Sequence, residues 1–299
     1  MRFHPYCICL IIYLLISITG ISNNCNGQPL AQDTIYLHQE IDFARYLFDH
    51  NYNTELAQLL KELPTASVDE KFNNELNFLR GQYYFYKKEL DLSAHHFDLI
   101  TPSHQEYEKS KITAIYCLTY MGHYASADSL LDKVKPHIPM EYFHFQKAGL
   151  SLLQNDRQGF LQHSQKFSYS NYALNDPELK LLASFQDIKL QKRKSPLIAG
   201  LCSAILPGSG KVYGGKPKQG IAALLPITFL GLQFYENIHK RGWDHPLTYF
   251  YGGLFSLFYI GNIWGSALSV KITNDEWNEK ITQKVLFNLH IPMRIMYPD

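Results

Sequence analysis

Hydrophobic and polar positions divide the chain into distinct regimes. Between Ile35 and about Leu190 apolar residues recur at helical spacing, with almost no strict alternation and few glycines, which predicts a succession of amphipathic helices. From about Ser195 to Val270 three apolar segments follow one another. They are separated by the glycine-rich turn Pro207-Gly208-Ser209-Gly210-Lys211-Val212-Tyr213-Gly214-Gly215 and by a polar link from Glu236 to Pro246. Leu247 to Val270 is uncharged and long enough to cross a bilayer with tilt. Pro196 to Leu206, and Ile221 to Tyr235 with its Pro226, fall short of the roughly 20 residues a span needs. Past Val270 the chain turns polar, from Lys271 to Lys284. It ends with Leu286, Asn288 and His290 alternating against Phe287, Leu289 and Ile291, a pattern that fits a short strand or an amphipathic interfacial tail.

A further apolar run, Tyr6 to Ile18, follows Arg2 and gives way to small and polar residues up to Gly27. That layout is a secretory signal peptide cleaved between Gly20 and Gln28, or else a retained anchor. Cys25 follows Asn24, where a lipobox needs a small residue, which argues against lipidation. The expected organisation is a leader (1–27), a helical domain (35–190), a membrane module (194–271) and a polar tail (272–299).

Composition sharpens this picture at a few points. With 299 residues there is room for two cores, while 18% charged and 14% aromatic residues fit neither disorder nor a charged coiled coil. A net charge of +1 gives no general field for nucleic acid, so electrostatic partners must meet local patches such as Lys189, Lys192, Arg193 and Lys194, which lead into the apolar module. Five cysteines, three of them in or beside the leader, do not form a disulfide framework.

The helical region carries an internal period. Ser93, Phe97 and Ile100 are matched by Ala127, Leu131 and Val134, and Tyr86 by Tyr120, about 34 positions on. This spacing resembles the tetratricopeptide repeat, with Gly81 and Gly149 on that family's small first-helix position and Pro139 near its terminal proline. The resemblance implies a curved stack of helix pairs that binds a protein or peptide segment on its concave face, with Tyr83, Tyr84, Tyr86 and Tyr120 lining or supporting that face. An irregular helical domain is the alternative.

The module carries a second likeness. Lys194-Ser195-Pro196 and Ser203 through Tyr213, with Gly215, resemble a small hydrophobic domain of bacterial envelope proteins. That domain is similar to a two-helix membrane module marked by Pro-Gly-x-Gly-Gln-x-Tyr, with Lys211 standing at the glutamine. Pro207, Gly208, Gly210, Lys211, Tyr213 and Gly215 would make the turn, the lysines reaching toward lipid head groups. Gly261, Gly265 and Ser269 form a small-residue stripe that can seat the shorter segments of the same chain or a second copy of it.

Chemistry is sparse. Gly208-Ser209-Gly210-Lys211 imitates a phosphate loop, but Ile205 and Val212 stand where the first glycine and the magnesium-binding hydroxyl belong. Thirteen histidines include no HExxH pair, and no serine sits in a GxSxG elbow. Neither catalysis, a cofactor nor a metal is expected. The chain reads as an all-α protein of the bacterial cell envelope, anchored in a membrane with its repeats on the periplasmic side. It would act as a scaffold for a protein or peptide partner, or alternatively within a transport or protein-insertion apparatus through the glycine-rich hairpin.

Overall fold

The computed structural model describes residues 29–64 and 69–297, side chains of 29–35 excepted. The leader and Cys25 lie outside the described residues. Among those residues there are thirteen α-helices, one 3-10 turn and no strand. The chain divides into two compact units that meet at Tyr107 and Glu108.

The first unit contains α1 (Pro29–Asp49), α2 (Asn53–Glu62), α3 (Glu70–Tyr86) and α4 (Leu90–Asp98). Its core is Ile41, Ala44, Leu47, Leu56, Leu60, Phe72, Leu76 and Leu79, the inward stripes of three helices. The buried Arg80 guanidinium donates to the carbonyls of Leu60 (2.7 Å) and Leu63 (3.2 Å), fastening the end of α2 to α3. Gly81 and Ser93 occupy the α3–α4 contact. A Cβ on Gly81 would lie 2.7 Å from the Phe97 ring, and the Ser93 hydroxyl donates to the Gly81 carbonyl at 2.9 Å.

The second unit continues with α5 (Tyr107–Tyr120), α6 (Tyr124–Val134), α7 (Met140–Leu153), α8 (Arg157–Ser164) and α9 (Asn175–Leu190). Lys147 joins α7 to α6 by donating to Asp128 and Asp132, both at 2.8 Å. Four turns, two in each unit, have the same construction. Asn51, Lys88, Gly122 and Asn155 sit at φ of 59, 62, 83 and 59°. Each is followed by an amide that reaches back five residues: Tyr52 to Leu47, Glu89 to Tyr84, His123 to Leu118 and Asp156 to Ser151. This is the left-handed closure that satisfies the last carbonyls of a helix, and it recurs at intervals of 33 to 37 residues. The described helices therefore come as repeated hairpins; their stacking as a tetratricopeptide-like solenoid remains a proposal.

The rest of the second unit is α10 (Pro196–Ile205), α11 (Ser209–Tyr213), α12 (Pro217–Arg241) and α13 (Pro246–Met296). α12 and α13 are each long and apolar enough to cross a membrane. Two expectations change here. The second apolar segment is not short: helix runs through Pro226 and on to Arg241, helped by the Lys240–Glu236 pair one turn apart (2.7 Å), leaving Gly242 to His245 as the link. The tail is neither strand nor interfacial. It is the second half of α13, a 51-residue helix. Ile281, Val285, Leu289 and Met293 recur every fourth position and are all buried, whereas the alternation over 286–291 is too short to compete with that stripe.

Candidate functional site

Within the module, α10 and α11 form a hairpin laid against α13. Ser195 caps α10 and Pro196 starts it, as expected of a residue with no amide to satisfy. Two glycines make the reversal. Gly208 has φ +85°, and a Cβ on Gly210 would sit 1.9 Å from the Ala199 carbonyl oxygen, a contact only hydrogen can make. The Ser195 amide donates to the Tyr213 hydroxyl at 3.2 Å and closes the mouth of the hairpin. Lys194 Nζ lies 5.8 Å from the Tyr213 ring centroid, and Gly215 turns the chain into α12 with φ +90°. Pro207, partly buried, precedes the left-handed Gly208 in the reversal, and Lys211 is partly exposed in α11.

The interior of this hairpin is polar. Ser203 Oγ donates to Ser266 Oγ (2.7 Å) and accepts from the Gly210 amide (3.0 Å). Both serines are fully buried. Asn262 Nδ2 donates to the Ser203 carbonyl at 3.5 Å, and the Tyr259 hydroxyl donates to the Ala204 carbonyl. Three of these bonds satisfy backbone groups that the reversal leaves open in a buried interior. Asn262 Oδ1 and Ser209 Oγ remain buried without a partner. Asn262 stands nine residues before Lys271, about 13 Å along the helix. The outside of the module is apolar: Leu201, Ile205, Leu225, Phe229, Leu257 and Trp264 are each more than half exposed.

Gly261 and Gly265 do not seat the shorter segments. A Cβ at either would meet nothing within 4 Å, and Ser269 is only partly buried. α10 instead lies on the adjacent face, where a Cβ on Gly200 would approach Ala267 and Ile263. Gly252 of α13 and Gly231 of α12 take the close contacts between those two helices, against Phe234 and Phe255 respectively. The Gly261/Gly265 stripe thus points away from the chain's own partners.

The lower half of α13 occupies the face of α7. A Cβ on Gly149 would come 2.2 Å from Leu289, so glycine is what admits the helix. Gln146 Nε2 donates to the Tyr142 hydroxyl (2.8 Å) and the Leu289 carbonyl (3.4 Å). The Tyr116 and His290 rings are 4.5 Å apart. Burial raises the Tyr142 hydroxyl well above its usual range, and burial with the nearby Glu108 pushes Tyr297 up to about 12. Lys284 pairs with Asp187 of α9 at 3.0 Å, while Arg193 and the Lys194 carbonyl bond Asn278 and Asn274, both at 2.9 Å.

The four expected tyrosines separate. Tyr83 belongs to the core, and Tyr84 stacks on His96 at 5.5 Å. Tyr86 and Tyr120 are more than half exposed. Sequence reading missed an exposed run of rings on the first hairpin, in which Tyr46 stands 6.5 Å from Phe43, 4.1 Å from His50 and 6.4 Å from Tyr52. Its signal was available, since positions 43, 46 and 50 share one helix face. Among the described residues no three His, Cys, Asp or Glu side chains gather as a metal set. His144 and His163 do meet, with Nδ1 atoms 3.0 Å apart, and burial lowers the pKa of both. Comparison with family models, with curated proteins and with solved structures returned no match.

Proposed function

We propose that the chain is a membrane-anchored scaffold of the bacterial cell envelope, without catalysis, whose helical hairpins hold a protein or peptide partner near a bilayer. The observation that carries the anchoring half is the inversion of the module: exposed apolar side chains outside, buried hydroxyl and amide groups inside. α12 and α13 would then be two crossings, and the α10–α11 hairpin would dip in and return. That arrangement leaves both ends of the module on one side, which agrees with α13 lying on α7. The leader pattern assigns that side to the periplasm, with Lys192, Lys194, Lys216, Lys218 and Lys271 facing head groups. Support for partner binding is the exposed Phe43, Tyr46 and Tyr52 run, because rigid aromatic rings are common anchors at interfaces. Anchoring would raise the partner's local concentration at the membrane. The Gly261 and Gly265 stripe leaves room for pairing with a second copy.

The test of placement is vesicle flotation of the full chain together with reporter fusions at Lys189 and after Met296. Flotation with both reporters active outside the cytoplasm fits the proposal; a chain that stays soluble and monomeric without detergent refutes it. A second reading, part of a transport or insertion apparatus, is favoured by the partnerless Asn262 Oδ1 and Ser209 Oγ inside a re-entrant hairpin. Asn262→Leu separates the readings. Scaffolding survives that change, and transport does not.

A further inference from the structure

Counted back from the left-handed turn residue, the first helices of the hairpins can be compared position by position. In α3 the residues twelve, eight and five places before Lys88 are Leu76, Arg80 and Tyr83; in α7 the same places before Asn155 hold Phe143, Lys147 and Leu150. Each is at most 9% exposed. This face is the one laid on the preceding hairpin. Arg80 reaches the carbonyls at the end of α2, Lys147 reaches Asp128 and Asp132 of α6, and Lys135, just past α6, lies 5.1 Å from the Phe143 ring centroid.

In α1 the same places before Asn51 hold Gln39, Phe43 and Tyr46, and all three are exposed. A face that α3 and α7 bury is here left open. With Tyr36 and His50, both exposed, these positions succeed one another at intervals of 3 and 4 residues, the spacing of a seam that meets another helix, over about 21 Å. Terminal repeats are ordinarily closed by a polar outer face. This one presents rings already held in place: the Phe43 and Tyr46 planes are 11° apart, His50 is 4.1 Å from Tyr46, and Tyr52 extends the run from the start of α2. Rings fixed before binding lose little freedom when a partner arrives.

Charge selects the occupant. Asp42 and Asp49 stand exposed along one edge of the seam, and at its other end Glu40 bonds the Tyr36 hydroxyl with Glu62 nearby. Arg45 is the one lysine or arginine between positions 36 and 52, and it is turned onto Asp42 (3.6 Å) and Glu75 of α3 (3.8 Å). The surroundings of the rings are therefore acidic, and the ring faces themselves attract cations, as the Phe143 ring does Lys135. A second copy of α1 would bring the same acidic edges, like against like.

We propose that this open face of α1 docks a basic amphipathic helix of a partner protein, its apolar stripe laid on Phe43, Tyr46 and Tyr52 and its lysines or arginines set against Asp42 and Asp49. The inference rests on the scaffold reading of the hairpins and names the class of partner they hold. The partner helix takes the place that a preceding hairpin occupies on α3 and α7.

The experiment is selection on the full chain in detergent from a displayed library of peptides about 15 residues long, a length that matches the face, with leucines fixed along one helical stripe and the flanking positions randomised. Peptides with lysine or arginine at the flanks are enriched on the parent and not on F43S/Y46S. An enriched peptide, followed by fluorescence anisotropy, binds F43S/Y46S at least about tenfold more weakly, and D42N/D49N about threefold or more weakly with a shallower dependence on salt. The four replaced side chains are exposed, so melting of both variants stays as in the parent. Enrichment of acidic flanks, or equal enrichment on the parent and F43S/Y46S, overturns the proposal. Light scattering that shows a dimer of the parent and a monomer of F43S/Y46S also overturns it, assigning the face to a second copy. Enrichment from a parallel library of proline-rich, extended peptides in place of the helical ones overturns the helix and leaves the scaffold standing. Flotation of the parent chain is read alongside: failure to float refutes the anchored scaffold, whereas flotation without enrichment of any peptide refutes only this docking site.

Discussion

Leu289→Ala tests the docking of α13 on α7. Leu289 is 4% exposed and lies directly against Gly149, which has no side chain to move into the space. Truncating a buried leucine costs about 2–5 kcal/mol, and a backbone wall that cannot collapse keeps the value off the low end. Burial of Ile281, Val285, Leu289 and Met293 contributes roughly 1.5–3 kcal/mol each, so one truncation removes a sizeable part of the docking energy. Hydrogen exchange over the 281–297 segment of the full chain in detergent reads the change. A loss of about 3 kcal/mol speeds exchange roughly 150-fold if the segment opens locally. Phe287→Ala is the control: Phe287 is 64% exposed, and its loss changes exchange by no more than about 0.5 kcal/mol. A strand would place residues 287 and 289 on one face. Equal effects from the two substitutions would therefore refute the helical docking.

Gly210→Ala drives a Cβ into the Ala199 carbonyl and should lower the melting temperature in detergent sharply. Gly265→Ala meets open space and should leave it unchanged or raise stability by up to ~1 kcal/mol, as alanine favours helix; a reversal of that order would contradict the hairpin geometry. His96 is held near a pKa of about 4, chiefly by burial, against 6.5 for an ordinary histidine. With the folded pKa depressed, the unfolded chain binds more protons, so stability present above pH 6.5 declines as pH falls toward 4. The loss is about 2 kcal/mol by pH 5, measured as faster exchange in α3 and α4, and His96→Gln flattens that window; an unchanged slope would place the titration elsewhere.

Helical class was legible because apolar residues from Ile35 to Leu190 keep the helical period, and Gly81 and Ser93 mark a close helix approach. The glycine turn was legible too, since Gly208 and Gly210 occupy positions that no side chain fits. What escaped was long-range. Nothing local says that Gly149 faces Leu289, 140 residues away, or that Gly261 and Gly265 face outward while Gly252 takes the internal contact. The length of α12 was underread because its bounds were drawn at Ile221 and Tyr235, inside the polar residues at either end, whereas the helix runs from Pro217 through Pro226 to Arg241. A cavity beside α13 draws on Arg157, Gln191 and Trp277, distant in sequence and ordinary one by one.

The central claim is that a single helix runs from the bilayer into the groove of the last hairpin. Spin labels at the exposed Leu257 and Phe287, in a chain without native cysteines reconstituted in nanodiscs, measure it directly. Thirty residues of unbroken helix place the labels about 45 Å apart with a narrow distribution. A broad distribution, or one centred well below that distance, would mean that α13 folds back or comes apart between membrane and groove.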